Sequence, residues 1–366
     1  MLLTKFRSSR VTIFIFALSG VVSACSPKFF GNESTEVAAT LGGGALPAPT
    51  IVVTTNSTTA ESIVSLLSGE SVTLSASGGS APYTYSIAEG SGSITGSVFT
   101  ASSTVSYAKL RATDAKGYHG DIYVAALGDP EVWVNANDVD GNRDGVAAGA
   151  TDGLIVPTMV DATGNGFDFV PTVAKEPIWN ASDTNYNNQA TITLSGGQCL
   201  SSAIDFHNEL SFTVAMVGNS DGNAGAFYNN TSAGGGEAFQ LISLGGVGGD
   251  YMRAKYFNGA GLTAEHSSFQ ASTPNVSIGV LDENAPTATL YYDGVTAYET
   301  NAVIPILDLS GGALPTIGSR APNCAIAPLN GTIAEFIYYG RELSAAEALA
   351  LSCYLGIKYD VNISGC

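Results

Sequence analysis

Short apolar runs of roughly four to eight residues recur along this chain from about residue 50 onward, separated by glycine, proline, serine, asparagine and aspartate. Helix-period patterns are scarce, so the pattern predicts an all-β protein. Strands are expected at 51–54, 71–76, 83–87, 97–100, 108–113 and 121–126. Further strands or hairpins are expected in ATITLSGGQCLSS, LSFTVAMVG, AFQLISLGG, YMRAKYFNG, NVSIGVLDE and ATLYYDGVTAYET, with Asp293-Gly294 as a hairpin turn signal. Near the end, GTIAEFIYYGRELSAAEALALSCYLGIKY reads as a strand with apolar residues on both faces, a turn at Gly340 and one helix. Ser344 is placed to cap that helix, and Glu347 completes a capping box. Ala346, Leu349, Cys353 and Ile357 follow at helical spacing and predict one apolar stripe lying against the body of the domain.

Before the first strand the pattern is different. Lys5, Arg7 and Arg10 precede an apolar run at 11–22 that is short for a membrane span, and Val22-Ser23-Ala24-Cys25 resembles a bacterial lipobox. The resemblance implies removal of residues 1–24 and a lipid on Cys25. Ser26, where an aspartate would signal inner-membrane retention, resembles outer-membrane sorting. The expectation is an outer-membrane lipoprotein of a Gram-negative-type bacterium, facing the periplasm or the cell surface and touching the membrane through its anchor only. Residues 26–49 have little that forms a core and read as a tether.

Two folded regions follow. At 50–128, GGSAPYTYSIAEGSGSITGSVFTA followed by LRATDAKG resembles the bacterial Ig-like repeats, which implies a β-sandwich spacer. At 129–366, EVWVNANDVDGNRDG, VDATGNG, the ordered strand series and the closing strand–helix segment resemble LamG-like, concanavalin A-like domains. That resemblance implies a jelly-roll sandwich with a short C-terminal helix.

Charge narrows the partners. Acidic side chains exceed basic ones by 18, which argues against nucleic acid. Asp138, Asp140, Asn142 and Asp144 alternate along DVDGNRDG, and residues 140–145 fit the opening of a calcium loop, with Asp152 beside the twelfth position. A structural calcium ion is one reading, and a plain Asp/Asn/Gly turn is the other. Apart from Cys25, the cysteines are Cys199, Cys324, Cys353 and Cys366, an even set that allows three disulfide connectivities. The favoured one joins Cys199 to Cys324 and Cys353 to Cys366, since the second bond ties the terminal helix to an otherwise unanchored tail. No CxxC spacing supports zinc.

Catalytic patterns find little support in the sequence. No E-x-D-x-E run occurs, no G-x-S-x-G elbow supports a serine hydrolase, Glu335 stands alone on the last strand, and His119, His207 and His266 are scattered. The chain therefore reads as a non-enzyme. Segments 218–236 and 258–272, rich in Gly, Asn, Ser and aromatic residues, are expected to be rim loops, with Tyr228, Tyr256, Phe257 and His266 as candidates for stacking on sugar rings. The expected function is a surface binding or adhesion protein for a glycan or an extracellular protein. The alternatives are a structural or assembly component of the outer envelope and, third, a glycoside hydrolase.

Overall fold

The computed structural model describes residues 49–56, 63–144, 147, 149–205, 211–221, 225–231, 237–244, 251–258, 262–267, 269–282, 287–300 and 313–366. Cys25, the apolar leader and the tether lie outside these residues, as do Gly145 and His207.

Eight strands form the first region: β1 Val52–Thr55, β2 Val64–Leu67, β3 Ser71–Ser77, β4 Thr84–Glu89, β5 Ser93–Thr95, β6 Val98–Thr100, β7 Ser106–Thr113 and β8 His119–Gly128. They make two four-stranded sheets, β1-β3-β6-β5 and β2-β8-β7-β4. Between the sheets lie Leu66, Val72, Leu74, Phe99, Leu110 and Val124, all buried. Strong alternation along β7, where Ser106, Ala108, Leu110 and Ala112 are buried and the residues between them are half-buried, is what a strand with one core face requires. Strands β2 and β5 are additions to the sequence reading, since neither carries a run long enough to announce itself.

The second region is a larger two-sheet sandwich. Its strands are β9 Val132–Asn135, β10 Phe169–Pro171, β11 Ile178–Asp183, β12 Gln189–Ser195, β13 Leu200–Ser202, β14 Ser211–Ser220, β15 Gly225–Thr231 and β16 Glu237–Leu244. There follow β17 Tyr251–Asn258, β18 Leu262–His266, β19 Asn275–Asp282, β20 Thr287–Tyr292, β21 Val295–Thr300, β22 Ala313–Ile317 and β23 Asn330–Tyr339. One sheet has the order β10-β13-β22-β15-β16-β17-β18, and the other β11-β12-β23-β14-β19-β20-β21 with β9 also paired to β23. The chain is thus all-β, a small sandwich followed by a large one, and its only α-helix among the described residues is α1, Ala345–Tyr359. That helix is too short to cross a membrane.

Strand β15 and strand β18 correct the expectation of long rim loops. In β15 a bulge between Ala226 and Tyr228 turns both Phe227 and Tyr228 into the core. The bulge breaks the period-two pattern by which a strand is read.

Glu347 closes the capping box as expected: Ser344 Oγ accepts from Glu347 N at 3.3 Å, and Ser344 N donates to Glu347 Oε2 at 3.0 Å. The apolar stripe differs from the expected one. Ala346 is exposed and Leu349 and Ile357 are half-buried, while Ala348, Leu351, Leu355 and Tyr359 are buried. The buried stripe is the face that packs on the eight-stranded sheet, and the tail adds to it, since Cys353 bonds to Cys366 and Ile363 packs on Gly356, so the second half of the helix is enclosed on most sides.

A polar row on the seven-stranded sheet as the candidate functional site

Each sheet of the large sandwich has an inner and an outer face. The inner faces share one apolar core that includes Phe169, Leu200, Tyr228, Leu241 and Ile317 from the seven-stranded sheet and Ile192, Val214, Phe336 and Tyr338 from the eight-stranded one.

The outer face of the eight-stranded sheet is apolar. Ala215, Val217, Ile278, Ile337 and Tyr339 share a second core with Leu351, Tyr354 and Leu355 of α1 and with Ile63, Val105, Ala125 and Leu127 of the small sandwich. Tyr339 donates its hydroxyl to Leu127 O at 3.0 Å, and Val105 N donates to Glu347 Oε1 at 3.3 Å, so helix and small sandwich close this face together. Glu335, which stands alone in the sequence, is central to a buried network here. Its carboxylate accepts from Trp133 Nε1 at 2.7 Å and Tyr359 OH at 2.8 Å, and it pairs with Lys358 Nζ at 3.0 Å. Glu335 is 1% exposed and Lys358 0%, which makes this a structural ion pair.

The outer face of the seven-stranded sheet carries hydrogen-bonding groups instead. Strand register aligns Val170 with Ser201, Ser201 with Thr316, Thr316 with Asn229, and Asn229 with Gln240. The same row runs on through Lys255, whose side chain is outside the description, to Thr263. The neighbouring register row, Leu200, Ile317, Tyr228 and Leu241, belongs to the core, so alternation places the polar row on the opposite face. Thr316 and Asn229 are fully buried, and Ser201 and Gln240 are 8% and 4% exposed.

Buried polar groups of this kind need partners. Thr316 Oγ1 donates to Leu314 O at 2.9 Å, and Asn229 Nδ2 donates to Arg320 O at 3.0 Å. The Gln240 amide lies against the Arg320 guanidinium, its oxygen accepting from Arg320 Nε at 2.8 Å and from a terminal guanidinium nitrogen at 3.1 Å. Ser201 Oγ has no hydrogen-bond partner among the described residues. At this end of the row the surface opens, Val170 and Ile204 being 38% and 49% exposed, while Arg320, which lies beside Asn229 and Gln240, and Ile326 of its loop are exposed as well. Hydroxyl and amide groups bordered by small apolar side chains are the donor set and the contact surface that a sugar ring uses.

Arg320 belongs to a loop held in place on several sides. Arg320 N donates to Ile326 O at 2.9 Å, Ser319 Oγ donates to the same oxygen at 2.9 Å, and Leu329 N donates to Gly318 O at 2.8 Å. The Cys199–Cys324 disulfide joins this loop to the residue preceding β13, and Thr172 Oγ1 donates to Pro322 O at 2.9 Å. Both favoured cysteine pairs are therefore formed.

One of the stacking candidates is a core residue. Tyr228 is fully buried and stacks on Phe336 with ring centroids 5.0 Å apart, so it is a core residue, its hydroxyl pushed to high pKa by burial. His266 is half-buried against Tyr292 at 5.0 Å, and burial lowers its pKa. Tyr256 and Phe257 lie on β17, and their side chains are outside the description.

The aspartate loop is brought together in part. Asp138, Asp140 and Asp144 each offer a carboxylate oxygen, all within 4.8 Å of one another. Asp138 is 3% exposed, and Asp140 Oδ1 is buried with no hydrogen-bond partner in the described structure. Asn142 is occupied within the turn, donating from Nδ2 to Asp140 Oδ2 at 3.0 Å and accepting from Asp144 N at 2.8 Å. Asp152 is not in this group; its carboxylate accepts from Ala181 N at 2.8 Å, at the irregularity within β11. Arg143, at the centre of the loop, pairs with Glu70 of the small sandwich.

No family model and no curated protein matches the chain. Among solved structures, the carbohydrate-binding module CBM40 of the Ruminococcus gnavus IT-sialidase, bound to α2,3-sialyllactose, is similar at 16% identity and a TM-score of 0.36, over 44% of this chain and 95% of that one. Domain 4 of AbnA, a GH43 arabinanase from Geobacillus stearothermophilus in complex with arabinotriose, is similar at 11% identity and a TM-score of 0.43, over 60% and 96%. The match spans 24% of a NanB sialidase chain and 27% of the leech intramolecular trans-sialidase. None of these reaches a TM-score of 0.5, and none assigns a function to this chain.

Proposed function

We propose that this chain is a lipid-anchored surface protein that binds a glycan on the outer face of its seven-stranded sheet. One observation carries the reading: the in-register row from Ser201 to Gln240, a series of hydroxyl and amide groups that is buried along most of its length and meets open surface beside Val170 and Ile204 at its Ser201 end. Its position suits the role. Small sandwich and helix pack on the eight-stranded sheet and leave the outer face of the seven-stranded sheet to other contacts. No pair of carboxylates lies along the row, and the reading is of binding without hydrolysis. Calcium fits the Asp138, Asp140 and Asp144 carboxylates, hard oxygen donors of which one oxygen is buried without a partner; its role there would be to stiffen the loop that carries Arg143.

A glycan array probed with the full chain, with and without calcium, tests this. Saturable binding to a defined sugar class supports it. A blank array together with one co-purifying envelope protein would favour the assembly role instead.

A further inference from the structure

We infer that residues 360–366 form a redox-released strap across the end of α1, opened when a dithiol reduces the Cys353–Cys366 bond and closed again on reoxidation. The two disulfides of the large sandwich differ in what can reach them. Cys199 and Cys324 are 0% and 1% exposed. Cys353 is 9% exposed on α1, but its partner Cys366 is exposed. An attacking thiolate has to reach a sulfur of the bond it breaks, so access decides which disulfide exchanges. Cys366 is the accessible end.

What the bond holds is a short segment laid across two elements. Asp360, at φ 57°, turns the chain back onto the helix, and Val361 N donates to Gly356 O at 2.8 Å. Ser364 N donates to Asp293 O at 2.8 Å, in the turn between β20 and β21. Ile363, 8% exposed, packs between the helix and that turn, and glycine faces it on both sides. A Cβ on Gly356 would overlap Ile363 and Val361 O, and one on Gly294 would overlap Ile363 and Ser364 O. The segment thus straps a helix to a hairpin over surfaces that carry no side chain. Loop-closure entropy for a sequence separation of 13 favours the closed strap by about a hundredfold. Without the bond, one apolar side chain and these backbone contacts are what the described structure offers in its place.

The exchange needs only the dithiol. Its thiolate attacks Cys366 Sγ, the S–S bond breaks, and Cys353 leaves as a thiolate that takes up a proton. The second thiol of the reductant then attacks the reductant's own sulfur in the mixed disulfide and frees Cys366. Two cysteine thiols are formed and the dithiol is oxidised to a disulfide. Release of Ile363 bares the last turn of α1, where Lys358 and Tyr359 hold Glu335.

The test treats the folded full chain with dithiothreitol, traps free thiols with iodoacetamide at intervals and locates them by peptide mass mapping, with hydrogen exchange measured on the same samples. Cys353 and Cys366 are expected to be alkylated about tenfold or more faster than Cys199 and Cys324. Amides of residues 361–366, of the last turn of α1 and of the Asp293-Gly294 turn should then exchange faster, by up to about a hundredfold, while those of β13, β15 and β22 keep their rates. Cys366→Ser should show the same exchange pattern without reductant, and reoxidation of the unmodified chain should restore the slow one. Alkylation of Cys199 and Cys324 together with the other pair, or ahead of it, overturns the inference. So does selective reduction that leaves hydrogen exchange unchanged or that unfolds the whole chain.

Discussion

The two outer faces of the large sandwich are built from the same kind of strand and end in opposite states. On the eight-stranded sheet, apolar residues such as Val217, Ile278 and Ile337 meet a helix and a second sandwich, and the buried charged pair, Glu335 with Lys358, is enclosed. On the seven-stranded sheet, Ser201, Thr316, Asn229 and Gln240 stand in register beside an arginine that has no carboxylate partner among the described residues. The first face is finished by the chain itself. The second buries a polar row in which Ser201 Oγ is unmatched within the described structure, and the proposed function assigns binding to that side.

Breaking the closed face should have the largest effect. Glu335→Ala leaves the Lys358 ammonium buried without its counter-charge, and removal of one partner of such a pair costs about 3–5 kcal/mol. Urea denaturation should show that loss; a change below about 1 kcal/mol would mean the helix does not depend on the pair. Calcium comes next. Saturating calcium should raise stability by about 2–3 kcal/mol, read as a melting shift of several degrees, and Asp140→Ala with Asp144→Ala should cancel it. An identical melting temperature in calcium and in chelator would reduce the loop to a turn.

The smallest effect concerns acid. Burial alone raises the Glu347 carboxyl, but hydrogen bonds from Arg341 and from Ser344 outweigh it and hold the value at about 2, against an ordinary 4.5. Because the folded-state value is depressed, this contribution is complete above about pH 4.5 and lost as pH falls toward 2. Stability should decline in that window, and Glu347→Gln should flatten the decline. An unchanged profile in Glu347→Gln would assign the acid sensitivity to other carboxylates.

Much of the fold was legible in the sequence because its strands are short and bounded by turn residues. The last strand, the turn at Gly340 and the Ser344/Glu347 capping box are local features, and local features can be read one after another. Strand β15 was hidden by its bulge, and the stripe of α1 was set by packing on the eight-stranded sheet and by a disulfide-bonded tail, contacts that arise only on folding. The candidate site was legible in fragments only. Gln240 interrupts an apolar run in AFQLISL, which marks it as unusual, but Ser201, Thr316 and Asn229 lie on three other strands and come into line through register. Aromatic residues such as Tyr228 attracted attention as sugar platforms and proved to be core, since bulk and apolarity draw a ring inward unless something holds it at the surface.

The most direct test of the binding face is the Asn229→Leu, Gln240→Leu double variant, compared with the unmodified chain for both melting temperature and affinity toward the strongest glycan on the array. The substitutions remove the Asn229 bond to Arg320 O and the Gln240 contact with the exposed Arg320 guanidinium, a loss of about 1 kcal/mol each, so the fold should hold with a melting temperature lowered by several degrees. Affinity should fall about tenfold or more. A folded double variant that binds the same glycan with undiminished affinity would contradict the account and move recognition to another surface.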